Sequence, residues 1–184
     1  SVIEHNAQDL GTEDLITPTD MVVTLSHTGY IKSQPLTEYR AQKRGGRGKQ
    51  AMQTKEDDWI DQLFIANTHD YILCFTTRGR VYWLKVWEVP QGSRNARGKP
   101  IVNMFPLQPG EKVNVVLPLT DGFRSFPADH YIFMATAQGV VKKTSLDEFS
   151  NPRKAGIIAV DLDEGDFLIG AALTDGKHDV MLFS

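Results

Sequence analysis

The sequence predicts an all-β fold, a ring-type array of four-stranded units. Three observations predict it: one phrase recurs three times, each copy has the residue types of a β-hairpin, and a further apolar run follows each copy.

Aligned on Gly29, Gly79 and Gly139, the copies are VVTLSHTGYIKSQPLTEY (22–39), ILCFTTRGRVYWLKVWEV (72–89) and IFMATAQGVVKKTSLDEF (132–149). Val22, Ile72 and Ile132 stand seven residues before the glycine, and Ser26, Thr76 and Thr136 three before it. After it come Ile31, Val81 and Val141 at two, Leu36, Val86 and Leu146 at seven, Glu38, Glu88 and Glu148 at nine, and Tyr39, Val89 and Phe149 at ten. Matches at so many fixed offsets mark a duplicated structural unit.

The units follow in order. Residues 1–19 form a lead-in to the first strand. The first unit, 20–69, reads as an apolar strand, a polar link ending in Gly29, a second strand and the apolar run WIDQLFIAN (59–67). β-Branched and aromatic residues disfavour a helix for each phrase, and a hairpin turn of this length needs a positive φ at its glycine. The second unit, 70–129, repeats the pattern with VNVVLPL (113–119), and the third, 130–177, with FLIGAAL (167–173). The polar stretch TDGFRSFPADH (120–130) accounts for the longer of the two glycine spacings, 60 against 50. At 178–184, VMLFS matches the first strand of the phrase without the glycine that should follow, so the chain reads as ending within a unit.

Composition narrows the class. With 184 residues and 41% apolar content the chain can build a core. No stretch approaches the roughly 18 consecutive apolar residues of a membrane helix, and residues 1–19 lack the pattern of a signal peptide. The single cysteine, Cys74, lies in the apolar run YILCF and reads as core in a reducing, cytoplasmic compartment.

The formal charge of -3 conceals a sorting of charges. Residues 30–49 hold six basic residues and one acid, 78–99 six and one, and 139–156 four and two. Together these segments carry 16 of the 20 Lys and Arg but only 4 of the 23 Asp and Glu. If the units form a ring, the same edge of each is basic, and such a track attracts a polyanion with strong salt dependence. The densest run, AQKRGGRGKQ (41–50), sets arginines, whose planar forks suit phosphate, among glycines that let a backbone come close. Weaker echoes follow at ARGK (96–99) and RKAG (153–156). On charge and repeat alone, the candidate DNA-binding residues beyond the run's core are Lys32, Arg40, Lys49, Arg78, Arg80, Lys85, Arg94, Arg97, Lys99, Lys142, Lys143, Arg153 and Lys154.

Residues 42–48, QKRGGRG, resemble the seven-residue signature loop of the C-terminal domain of the DNA gyrase A protein, and MVVTLSHTGYIKSQPL, IANTHDYILCF, GRVYWLKV and FMATAQGVVKK are similar to the same domain. Gln42, Lys43, Arg44, Gly45, Gly46, Arg47 and Gly48 each fit the signature. The resemblance implies a β-pinwheel, a propeller-like ring whose neighbouring blades exchange strands. This chain supplies the first three blades and the opening strand of the next. It implies that duplex DNA wraps around a basic perimeter so that the whole enzyme introduces negative supercoils. It implies no catalysis and no cofactor in this segment, ATP and Mg2+ belonging to the whole enzyme. The implied partners are double-stranded DNA, the remainder of the gyrase A protein, and gyrase B, which completes a heterotetramer, at the bacterial nucleoid. No membrane partner is expected. An unpaired edge on the last blade would also allow a homodimer. Bending duplex DNA over a few tens of base pairs costs about 1–6 kcal/mol, which a track of cations offsets without reading bases.

Other readings carry less. The homologous domain of topoisomerase IV lacks an intact signature loop. A propeller acting as a protein-interaction scaffold would present an apolar, neutral face. RNA binding would rest on one RGG triplet at 44–46. The five histidines show no metal-ligand spacing, His69 and His130 reading as turn residues. DLDEGD (161–166) places its glycine one position early for a calcium loop and has Ala172 where the twelfth-position Glu belongs, so it reads as a turn. GGRGKQ lacks the spacing of a nucleotide-binding loop. Glu38, Glu88 and Glu148 recur once per unit and read as acceptors of backbone N–H groups, and Trp83 and Trp87 read as packing between blades.

Overall fold

The computed structural model describes residues 13–45 and 58–175. Strands β1 (Asp20–Ser26) and β2 (Tyr30–Pro35) form the first hairpin, β4 (Tyr71–Thr76) and β5 (Arg80–Lys85) the second, and β8 (Tyr131–Thr136) and β9 (Val141–Ser145) the third. The turn glycines have φ of +93° (Gly29), +77° (Gly79) and +90° (Gly139), and the N–H of each donates to the carbonyl of Ser26, Thr76 or Thr136 at 3.0 Å. The matched hydroxyls close the same turns from the side chain, accepting from the N–H of Tyr30 at 3.1 Å, Arg80 at 3.4 Å and Val140 at 3.1 Å. A carboxylate completes each turn: Asp58 accepts from Thr28, Glu111 from the Thr76 hydroxyl, and Asp166 from the Gln138 N–H.

The apolar run after each hairpin is a third strand, β3 (Ile60–Asn67), β7 (Val113–Pro118) and β11 (Leu168–Thr174), antiparallel to the first strand of its own unit. The fourth strand comes from the next unit. The order in the first sheet is β3-β1-β2-β6, with β6 (Lys99–Pro100) supplied by the second repeat. In the second sheet it is β10-β5-β4-β7, with β10 (Ile157–Ile158) supplied by the third. The third sheet, β11-β8-β9, has three strands among the described residues. Strand exchange between blades is thus the architecture.

The core lies between blades, because strand side chains alternate. On β4, Ile72 and Cys74 join Met21, Val23 and Ile31 of the first blade, whereas Leu73 and Phe75 join Ile132, Met134 and Leu168 of the third. Strand β4 is therefore apolar on both faces and all but fully buried. The third strands line one end of the stack: β7 packs on β11, Gln62 on β3 donates to the Val116 carbonyl, and Asn114 on β7 donates to the Leu168 carbonyl. The exchanged strands β6 and β10 lie at the opposite edge of their sheets.

The structure corrects the sequence reading just after each second strand. The repeated phrase does not continue as strand past Pro35, Lys85 and Ser145. It turns into α1 (Leu36–Gly45) in the first unit and into single 3-10 turns, Val86–Glu88 and Leu146–Phe149, in the others. The matched Leu36, Val86 and Leu146 open these turns, and Val86 and Leu146 are fully buried plugs of the cores between blades. α1 is helical through Gly45, the last described residue before 46, and LTEYRAQKR contains no β-branched residue after Thr37. Cys74 is buried as expected, and among the described residues no group of side chains could hold a metal ion.

Candidate nucleic-acid interface

The signature segment begins as helix. Gln42, Lys43, Arg44 and Gly45 are the last four residues of α1, which follows β2, the neighbour of edge strand β6, directly after Pro35. Gly46, Arg47, Gly48 and Lys49 lie outside the described residues. Gln42 is half-buried and tied to the blade: the Gln34 side chain donates to it at 2.9 Å, and it donates to Glu38 at 3.5 Å. Arg40 and Lys43 are exposed, with the Lys43 ammonium 5.6 Å from the centre of the Tyr39 ring.

The exchanged segments carry a second group of cations. From the end of β5, residues 90–101 cross to the first blade, where the Ser33 N–H donates to the Pro90 carbonyl at 2.9 Å and the Gly92 N–H to the Ser33 carbonyl at 3.0 Å. Lys99 then pairs with Ile31 as the outermost strand, its side chain exposed. In the third repeat Arg153 and Lys154 are exposed just before β10, and Lys142 and Lys143 are exposed on β9. The Lys143 ammonium lies 4.2 Å from the centre of the Tyr131 ring, and Lys142 donates to the Ala159 carbonyl at 3.3 Å.

The remaining candidate cations bond to neighbouring groups of the fold, Arg78 while exposed. Lys32 is 3% exposed, and its ammonium donates to the carbonyls of Ser93 at 3.0 Å, Arg94 at 3.1 Å and Ala96 at 2.9 Å. All three of its protons are used, and burial pulls its pKa below the ordinary lysine value. Lys32 therefore clamps the exchanged segment instead of facing a ligand, a placement that charge counting could not foresee. Arg80 does the equivalent work one blade on, donating to the Ala155 carbonyl at 2.7 Å, and the Arg97 guanidinium stacks 3.8 Å above Tyr30, the residue matched to Arg80. Arg78 sits on the second hairpin turn, donating to Gln108 at 2.8 Å and to the Pro109 carbonyl at 2.9 Å. Lys85 is held by the His69 carbonyl at 2.9 Å, by Glu13 at 3.1 Å and over the Tyr71 ring at 4.1 Å. Arg94 is half-buried in the exchanged segment.

Residues set aside on sequence grounds take structural places. Glu88 accepts the Lys85 N–H at 2.9 Å, Trp83 donates across the blade boundary to the Phe149 carbonyl at 2.8 Å, and the 161–166 stretch turns at Gly165 with φ +81°. Sequence reading missed the three turn carboxylates Asp58, Glu111 and Asp166. Their signal was an acid shortly before each third strand, obscured because the spacing from the repeat glycine varies.

Of the candidate residues, Arg40 and Lys43 on α1, Lys99 on β6, Lys142 and Lys143 on β9, and Arg153 and Lys154 just before β10 are exposed. Exposed cations repeated in this way are able to meet phosphates without contacting bases. The family described as DNA gyrase C-terminal domain, beta-propeller, matches residues 20–67, 70–119 and 130–175. The DNA gyrase A protein of Salmonella typhimurium is 57% identical over 182 residues, 99% of this chain and 20% of that protein, and that of Neisseria gonorrhoeae is 56% identical over 176 residues, 96% and 19%. The chain spans about a fifth of the length of the curated relatives it matches. The solved C-terminal domain of DNA topoisomerase IV superposes with a TM-score of 0.74 at 28% identity, covering 88% of this chain and 48% of that one. The solved DNA gyrase A C-terminal domain gives 0.59 at 24% identity, covering 84% and 48%, a likeness of fold.

Proposed function

The chain belongs to the DNA gyrase C-terminal domain family, and we propose that it is a non-catalytic module that wraps duplex DNA around its outer rim for a type IIA topoisomerase. The observation that carries this reading is the intact heptad Gln42–Gly48, whose first four residues lie in the helix that follows β2 of the first blade. Arg44, Arg47 and Lys43 would grip phosphates there, and Arg40, Lys49, Lys99, Lys142, Lys143, Arg153 and Lys154 would continue the track. Lys32 is left out because its charge is spent within the fold.

Within the whole enzyme the wrapped segment would be delivered to the cleavage gate with a fixed hand, so that ATP-driven strand passage with Mg2+ yields negative supercoils. The partners on this reading are double-stranded DNA, gyrase B and the remainder of a gyrase A protein, in the bacterial cytoplasm. A second reading, DNA capture without chiral wrapping, draws on the 0.74 superposition with the topoisomerase IV domain.

Closing nicked circular DNA with ligase in the presence of the chain separates the two. Wrapping predicts a shift in linking number that disappears in the Arg44→Ala/Arg47→Ala variant. Unchanged topoisomers together with salt-dependent duplex binding would favour capture, and absence of duplex binding would end both readings.

A further inference from the structure

We propose that Gln34, which lies outside the signature heptad, is the positioning residue that fixes the heptad to the blade, and that Gln42 serves as its anchor instead of facing DNA. The proposal rests on the DNA-gripping reading above. Gln34 stands on β2, five residues after the turn glycine, and is 5% exposed. The matched residues in the other units are Leu84, buried and apolar, and Thr144. Among the described residues, only the first unit places a buried side-chain amide here and follows it with an α-helix, the second and third having 3-10 turns.

The hydrogen-bond chain has one direction. The Glu38 carboxylate can only accept, so the Gln42 amide nitrogen must face it, and this turns the Gln42 oxygen toward the donating Gln34 nitrogen at 2.9 Å. Glu38 is free to play this part because of Pro35. In the second unit the matched Glu88 is occupied by the N–H of Lys85, three residues earlier. Pro35 stands at that place in the first unit and has no N–H to offer. A ten-residue helix is marginal alone in water, so a tertiary tie at Gln42 stabilises the helical backbone that carries the start of the heptad.

The test uses the 184-residue chain. Gln34→Leu installs the residue that the second unit carries, Gln42→Leu removes the other partner, and the double variant completes a cycle. Two quantities are read: amide hydrogen exchange across 36–45, and affinity for a linear duplex of mixed sequence over a range of salt. Each single variant is expected to speed exchange in α1 about tenfold while the exchange of β1 and β4 stays unchanged, and the double variant is expected to do no more than either single. Duplex affinity should fall severalfold in step. Unchanged α1 exchange, or additive effects in the double variant, would overturn the proposal. Faster exchange with unchanged affinity would also overturn it, leaving a local structural contact. Should Gln34→Leu disturb the first sheet, Gln42→Leu, which leaves the core untouched, carries the test alone. If the unsubstituted chain binds duplex with no salt dependence, the DNA-gripping reading itself fails, whatever α1 does.

Discussion

Gly98 approaches the first blade so closely that a Cβ built on it would overlap the Ile31 carbonyl oxygen and stand 2.9 Å from the carbonyl carbon. This contact seats the exchanged strand, and it recurs one blade on, where a Cβ on Gly156 would meet the Tyr82 ring at 2.7 Å and the Val81 carbonyl at 2.9 Å. Both glycines have positive φ, +89° and +72°. The echoes of the signature segment in the second and third units therefore keep glycine for strand exchange.

Gly98→Ala adds a backbone clash to the about 1–2 kcal/mol that a left-handed alanine costs, and should destabilise the chain by about 3 kcal/mol or more. Gly139→Ala, at φ +90° with no atom within 4 Å of the added methyl, should cost only the backbone part. Urea unfolding of both variants checks the difference.

Lys32→Met leaves three carbonyls without their donor and should cost about 2–4 kcal/mol of stability. The salt dependence of duplex binding should stay the same, measured where the variant is fully folded. A reduced slope would mean that the ammonium reaches phosphate after all.

Lys99→Ala and Lys143→Ala should behave in the opposite way. Stability should change little, and each lost phosphate partner should lower the slope of log affinity against log salt by about 0.9. The loss should be similar on duplexes of different sequence, since none of the proposed contacts reads a base.

Asp58 gives the first hairpin a pH signature. Burial would raise its carboxyl, but hydrogen bonds from Thr28, Ser26 and the Trp59 N–H hold it below its ordinary value. A carboxyl lowered on folding stabilises the native state above its unfolded pKa and loses that contribution as pH falls through the folded value. Asp58→Ala should therefore cost about 1 kcal/mol at neutral pH, and the gap from the parent should close below about pH 4, as read by thermal unfolding in buffers across that range.

Cys74 is fully buried, and burial pushes its thiol pKa upward. The thiol should be inert to a disulfide reagent in the native chain and react at the rate of unfolding when denaturant is added. Reaction in native buffer at the rate of a free thiol would show that the sheet opens far more readily than this packing allows.

The three hairpins were legible in the sequence because each requirement is local: a glycine that can take positive φ, a hydroxyl three residues before it, and apolar runs on both sides. The sorting of positive charge was legible too, since the segments after each hairpin keep their cations whatever the fold does with them. The sequence by itself therefore determined the repeat, the all-β class and which stretches carry positive charge. Only the tertiary structure decided which cations remain available to a ligand. Lys32 is drawn into a cluster of three carbonyls and Arg80 to the Ala155 carbonyl by segments more than 60 residues away, whereas Lys99, Lys142, Lys143, Arg153 and Lys154 stay exposed. It also decided that the signature segment starts as a helix, because Pro35 removes an N–H and Gln34 supplies a tie, effects that rest on contacts between a strand and the turn that follows it. A lysine's position along the chain fixes that it is charged, but the carbonyls that close around it are set by packing.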